Sequence, residues 1–162
     1  IGAGYFIFEI CIMNFYQITP SFIEDYKSSI NHFFQRNERD YEFFHPHVFS
    51  YLCLLQEILK REKDYFVFLM DTDTITSYGM LRGWSEGYEI PSLGIMTDIN
   101  YRGKGISLKM MDHLHEIARG KNCERIRLTV YKENQAAVSL YNKLGYQFFD
   151  KNEKELVGIK IL

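Results

Sequence analysis

The chain has 162 residues, 46% hydrophobic and 25% charged, a size and balance that fit one globular domain over 1–162 and exclude a disordered chain. Nineteen Lys and Arg against 21 Asp and Glu give a net charge of −2. Nucleic acid or an anionic membrane as main partner would select a basic excess, so the balance argues against both.

At the N-terminus, Ile1-Gly2-Ala3-Gly4 lacks a starting Met, reads either as a remnant or as following missing residues, and carries no structural weight. The longest apolar run, Tyr5 to Tyr16, is broken by Glu9 and Asn14 and falls short of the roughly 18 apolar residues of a membrane span. No basic segment precedes it, so no signal peptide is read. Within it, Phe6 to Met13 suits a strand. Thr19-Pro20 then starts a helix, Thr as N-cap and Pro at the first helical position. Phe22, Ile23, Tyr26, Ile30, Phe33 and Phe34 follow at helical spacing, and the polar run Gln35 to Asp40 ends it. Tyr41 to His47 reads as a loop, because Pro46 pushes His45 out of the helical region. Leu52, Leu55, Ile58 and Leu59 mark a second helix. Tyr65 to Met70 and Ile75 to Leu81 form a hairpin about the turn Asp71-Thr72-Asp73. Gly83 to Gly87 breaks the pattern before a strand from Ile90 to Thr97. Arg102 to Gly120 is a turn and helix with Met110, Met111, Leu114, Ile117 and Ala118 inward and Gly120 as C-terminal cap. Ile126, Leu128 and Val130 alternate on a half-buried strand. Asn134 caps a short helix with inner face Ala137, Leu140, Tyr141 and Leu144, closed by Gly145. Gln147 to Phe149 and Leu156 to Ile161 are the last strands.

Aromatic residues reach 16%, which reads chiefly as core packing. The cysteines, Cys11, Cys53 and Cys123, are odd in number and lack metal-like spacing. Cys11 and Cys53 lie among apolar neighbours and read as buried free thiols of a reducing, cytoplasmic compartment.

The strongest chemical signal is Ile95-Met96-Thr97-Asp98-Ile99-Asn100-Tyr101-Arg102-Gly103-Lys104-Gly105-Ile106-Ser107. A glycine-rich turn between strand and helix brings backbone amides close to a ligand, and the helix dipole adds positive potential where Arg102 and Lys104 already stand. A diphosphate suits such a cradle, although a tight turn alone accounts for the glycines. The four-residue gap and Gly-Lys-Ser/Thr ending of a P-loop are missing.

About thirty residues on comes Asn134-Gln135-Ala136-Ala137-Val138-Ser139-Leu140-Tyr141-Asn142-Lys143-Leu144-Gly145-Tyr146. Together the two segments resemble the GCN5-related N-acetyltransferase (GNAT) superfamily. Its acetyl-CoA signature is Arg/Gln-x-x-Gly-x-Gly/Ala, met here by Arg102, Gly105 and, in place of the last small residue, Ser107. Its second signature, Asn-x-x-Ala-x-x-Leu-Tyr-x-x-x-Gly-Phe/Tyr, runs unbroken from Asn134 to Tyr146. The likeness covers Tyr65 to Leu162 by sequence and the first sixty residues only by architecture.

The resemblance implies an α+β (mixed α/β) fold, a central, mostly antiparallel, splayed sheet flanked by helices. It implies acetyl-CoA as cosubstrate, a small amine acceptor and no metal; family members commonly form homodimers. The diphosphate is expected on Arg102, Gly103, Lys104, Gly105, Ile106 and Ser107, with the pantetheine arm along Ile95-Met96-Thr97 as an added strand. Asn134 and Ala137 are expected at that arm, Asn134 also serving as helix cap. Tyr141 is expected to aim its hydroxyl at the leaving sulfur, its alternative being core packing beside Ala137 and Leu144.

A carboxylate before the cofactor strand would serve as base, and Glu86 and Glu89 occupy Gly83-Trp84-Ser85-Glu86-Gly87-Tyr88-Glu89-Ile90-Pro91-Ser92. Strand alternation keeps Glu89 and Ser92 from sharing a face, and either Glu alone could be a solvated surface residue. Tyr88, Ser92 and the pair His45 and His47 are candidates for acceptor contact; the two histidines lack a third ligand nearby and read as loop or substrate residues rather than metal ligands. His113 and His115 read as surface or packing residues. The aromatic segment Tyr41 to His47 and Glu-Gly-Tyr-x-Ile-Pro-Ser resemble acetyltransferases found near sugar-modification genes, which suggests an amino sugar. An acyl-CoA-binding module without catalysis and a protein N-terminal acetyltransferase are the alternatives.

Overall fold

In the computed structural model, residues 12–162 are described, and they fold around one sheet. Ile1 to Gly4, Cys11 and most of the expected Phe6–Met13 strand lie outside them. Among the described residues the first strand is later, β1 at Met13–Gln17. It is followed by α1 (Pro20–Arg36), α2 (Tyr51–Lys60), β2 (Tyr65–Asp71), β3 (Thr74–Arg82), β4 (Ser92–Thr97), α3 (Ile106–Gly120), β5 (Arg125–Tyr131), α4 (Gln135–Lys143), β6 (Gln147–Asp150) and β7 (Glu155–Ile161).

Each helix begins or ends where its backbone groups find partners. The Thr19 hydroxyl accepts the Phe22 amide, with Pro20 leading the helix. The Ser50 hydroxyl accepts from Cys53 N. At the end of α3 the cap is not Gly120, which is the last helical residue, but Lys121, followed by Asn122 in the left-handed region at φ +60°. Cys123 N donates to the Ala118 carbonyl at 3.0 Å and Asn122 N to Arg119 at 2.9 Å. These are the paired bonds of a Schellman ending, and Asn tolerates the left-handed backbone they require. The same pair of bonds closes α4 around Gly145, at φ +85°. The buried face of α2 is carried by Leu54 and Ile58. Leu52 and Leu59, which mark the helix in the sequence, are 54% and 58% exposed, because Leu54 and Ile58 already fill the stripe toward α1. Cys53 is half-buried, not buried, and Cys53 and Cys123 are free thiols. Tyr41 to His47 is not all loop: a 3-10 turn over Glu38–Glu42 takes in its first two residues.

The strands form one sheet in the order β1-β2-β3-β4-β5-β7-β6. Every pairing is antiparallel except β4 with β5. Both faces of β2 are buried, so its residues serve two cores in alternation. Phe66, Phe68 and Met70 join Tyr78, Met80 and Met96 under α1 and α2. Tyr65, Val67 and Leu69 join Ile126, Leu128 and Val130 under α3, with Tyr141 of α4.

The feature that makes a site is the seam between β4 and β5. The ladder there holds at one register point, Ser92 beside Arg127, reinforced by Arg127 N donating to the Pro91 carbonyl at 3.0 Å. Beyond it the strands part. Pro91, which has no N–H to give, sits before the strand, so β4 begins at Ser92 rather than Ile90.

Candidate active site

The glycine-rich turn joins the end of β4 to the start of α3. Gly103 and Gly105 stand at φ +71° and +77°, a backbone that favours glycine. The first bond of α3 closes from Lys109 N to the Gly105 carbonyl at 3.0 Å. The amides ahead of it at the start of α3 therefore have no partner within the helix and point outward at the positive end of its dipole. Ser107 Oγ lies 2.8 Å from Thr97 Oγ1, linking helix to strand. Arg102 donates through Nε to the Thr97 carbonyl at 3.2 Å and forms an ion pair with Asp40. Burial raises the Asp40 carboxyl's pKa while Arg102 opposes that shift. Lys104 is exposed, its Nζ donating to the Asn100 carbonyl at 3.0 Å.

Behind the cradle, Asp98 fixes its position. Its fully buried carboxylate accepts Arg36 at 3.0 and 2.6 Å and the Asn100 amide at 2.9 Å. Asn37 joins this node, accepting Ile99 N at 2.8 Å and donating to the Phe33 carbonyl at 2.7 Å.

From the cradle a groove of about 370 Å³ runs along Ile95, Met96 and Thr97, bounded opposite by Asn134, Ala137 and Tyr141. On the other side of the seam lies a second cavity of about 450 Å³. Ile95, Asn134, Ala137 and Tyr141 line both, so the two spaces meet at these side chains. Asn134 Oδ1 accepts Ala137 N at 3.2 Å, so it does cap α4. Tyr141 is 7% exposed, and burial pushes its hydroxyl up to about 12, so it stays protonated.

The other candidates separate. Glu86, Tyr88, Ser92 and His45 line the second cavity; Glu89 and His47 do not. Glu86 sits in a short 3-10 turn and pairs with Arg61, whose hydrogen bond and charge hold its carboxyl below the usual range. Glu89 is exposed, ahead of the strand. His47 turns into the aromatic core, Nδ1 donating to the Val48 carbonyl at 2.9 Å and Nε2 against the Tyr78 hydroxyl at 2.9 Å. Burial lowers its pKa and so favours the neutral ring. Among the described residues no group of three or more His, Cys, Asp or Glu is placed to hold a metal, and no helix is long and apolar enough to cross a membrane.

Sequence reading missed Arg82, Arg127, Thr129, Tyr131 and Glu155, all lining the second cavity. Arg127, Thr129 and Tyr131 are the outward-facing alternates of β5, whose other alternates, Ile126, Leu128 and Val130, are buried. That alternation was readable; what the outward face would meet was not.

Comparison with known proteins bears on the same elements. The model of the acetyltransferase (GNAT) family matches residues 29–146. Thialysine N-epsilon-acetyltransferase of Mus musculus is 42% identical over 53 residues, 33% of this chain and 31% of that protein. Spermine/spermidine N(1)-acetyltransferase of Bacillus subtilis is 35% identical over 66 residues, 40% of this chain and 42% of that protein. The chain thus spans about a third to under half of these curated relatives. The crystal structure of PaiA N-acetyltransferase from Thermoplasma acidophilum in complex with coenzyme A superposes with a TM-score of 0.75 at 17% identity, covering 93% of this chain and 99% of that one.

Proposed function

Because the chain belongs to the acetyltransferase (GNAT) family, we propose that it moves the acetyl group of acetyl-CoA directly to the primary amine of a small molecule. The observation that carries this reading is Tyr141, a protonated hydroxyl on the wall shared by the two spaces. The cradle suits a diphosphate: its amides are unpaired within α3, and Gly103 and Gly105 leave the approach open, with nothing within 4 Å of where a Cβ would stand. The parted edge of β4 offers Ile95 to Thr97 to the pantetheine arm as a strand. Acetyl-CoA supplies the activated acyl group; the chain supplies its alignment with an amine arriving from the second cavity.

Tyr141 then acts as a hydrogen-bond donor to the leaving sulfur. A thiol near 8.5 is a far stronger acid than a tyrosine held at about 12, so complete proton transfer from Tyr141 would be uphill by about 5 kcal/mol. Stabilising the developing thiolate needs no such transfer. The acceptor must arrive as a free amine, which for an alkylammonium near 10.4 costs about 4.6 kcal/mol at pH 7. Glu86, ionised and lining the cavity, draws the ammonium in and orients it; being a weak base, it leaves the ammonium's proton to water. The relatives' names, thialysine and spermine/spermidine, support a small alkylamine acceptor. An amino sugar, suggested by the sequence alone, is tested in the same panel.

The test measures CoA release over a panel of amines beside acetyl-CoA binding, for the parent and for Tyr141→Phe. Turnover should fall roughly 10²-fold in the variant with cofactor affinity nearly unchanged. Equal turnover would leave Tyr141 as packing. Tight acetyl-CoA binding without release on any amine would make the protein a binding module.

A further inference from the structure

The second cavity has a floor that neither the motifs nor the relatives assign. Arg82 on β3 registers beside Ser92 on β4, and Ser92 registers beside Arg127 on β5. Residues directly opposite on neighbouring strands point to the same face. The three therefore form one row across the sheet, and all three line the cavity. With strands about 4.8 Å apart, the two arginine Cα atoms lie about 10 Å from each other across the serine, so their long side chains can converge on one group between them.

The charges around the row are unequally engaged. The cavity's two carboxylates already have cations: Glu86 has Arg61 and Glu155 has Lys151 at 3.0 Å, with Asn152 donating to Glu155 at 2.8 Å. His45 Nδ1 lies 3.1 Å from the Tyr41 carbonyl. Arg82 gives one N–H to the Pro46 carbonyl at 2.9 Å, and neither Arg82 nor Arg127 forms an ion pair among the described residues. A purely cationic acceptor would thus find Glu86 for its ammonium but leave the two arginines of the row without an anion. We propose that Arg82, Ser92 and Arg127 form an anion subsite, so that the acceptor is an amine that also carries a carboxylate or phosphate. The guanidinium forks match either group bidentately, and the serine hydroxyl adds a donor between them. Ser92 and Ile95 are three residues apart on β4, about 10 Å of strand. The anion therefore docks at the closed end of the seam while the amine reaches Tyr141, and several bonds must separate the two. This inference rests on the acetyltransferase reading of the same cavity.

Matched pairs test it: 6-aminohexanoate against hexylamine, and glucosamine 6-phosphate against glucosamine. Both are measured as KM for acetyl transfer and as calorimetric binding to the CoA-loaded protein. At least one anionic member should bind about tenfold or more tighter than its neutral-tailed partner, and the pair that does so identifies carboxylate or phosphate. The ratio should collapse toward one in Arg127→Gln, with acetyl-CoA affinity retained as the check on folding, and in Arg82→Gln as the second variant. Equal binding within both pairs, or a preference that survives both substitutions, overturns the subsite. A binding preference that disappears in the variants, without acetyl transfer to any amine, keeps the subsite and removes the transferase.

Discussion

Glu86 stands at the second cavity with the Arg61 guanidinium against it, and that neighbour decides what the carboxylate can do. An anion stabilised by a cation attracts an ammonium well and takes its proton poorly. Replacing Glu86 with Gln is expected to lower kcat/KM by about tenfold, the scale of one lost charge contact, chiefly through the amine's KM. The pH profile should keep the rise set by the amine's own deprotonation. A loss of 10² or more in kcat would instead make Glu86 the base. Glu89→Gln, outside both spaces, should match the parent in rate and pH profile. Residues were legible in the sequence to very different degrees. Tyr141 and Asn134 stood out because the residues around them are tied to one helix and its cap. Arg82 and Arg127, 45 positions apart in the chain, become neighbours only through strand register, which no local pattern reveals. His47 looked like its partner His45, but a single turn of backbone sends one ring to the cavity and the other to Tyr78.

At the scale of elements, the cradle works through backbone shape. Nothing lies within 4 Å of a Cβ built on Gly105, so a side chain there is opposed by φ, not by crowding. A β-branched residue cannot hold +77° without cost of about 1–2 kcal/mol. Gly105→Val should therefore relax the turn and turn its amides from the ligand, weakening acetyl-CoA at least tenfold while the melting transition stays cooperative. Unchanged affinity in a folded variant would remove the cradle from the diphosphate. Caps were legible where side chains act on their own helix, as at Thr19 and Asn134. They misled where two residues could end a helix: Gly120 drew attention, yet Asn122 takes the left-handed position. In α2 the leucine spacing fitted a helix but not its buried face, because Leu52, Leu54, Leu55, Ile58 and Leu59 cover most of the circumference, and only contact with α1 selects among them.

Across the whole molecule, the α3 side of the sheet carries a titratable group that folding keeps neutral. His115 is buried, its Nε2 2.8 Å from the Tyr146 hydroxyl. Burial, with Lys160 and Arg119 nearby, pushes its pKa down to about 4. The unfolded chain protonates near 6.5 and the folded one does not, so His115 stability is complete above that value and is lost as pH falls toward 4. The loss should approach about 3 kcal/mol, seen as denaturation midpoints falling between pH 7 and 4.5. His115→Gln should flatten that part of the curve; an unaltered slope would place the pH dependence elsewhere. The order of strands and helices was largely legible, since apolar alternation and caps are local. The single contact between β4 and β5 was not, because it depends on two strands failing to meet. That failure has a consequence for solubility. An open strand edge at the rim of a sheet is a template on which other chains can add and aggregate. Here the longest stretch of unpaired β4 backbone lies in the middle of the sheet order, with β5 on its far side and α4 bounding the groove. The fold keeps a sticky edge available to a thin, extended guest while its own strands stand in the way of a neighbour's sheet.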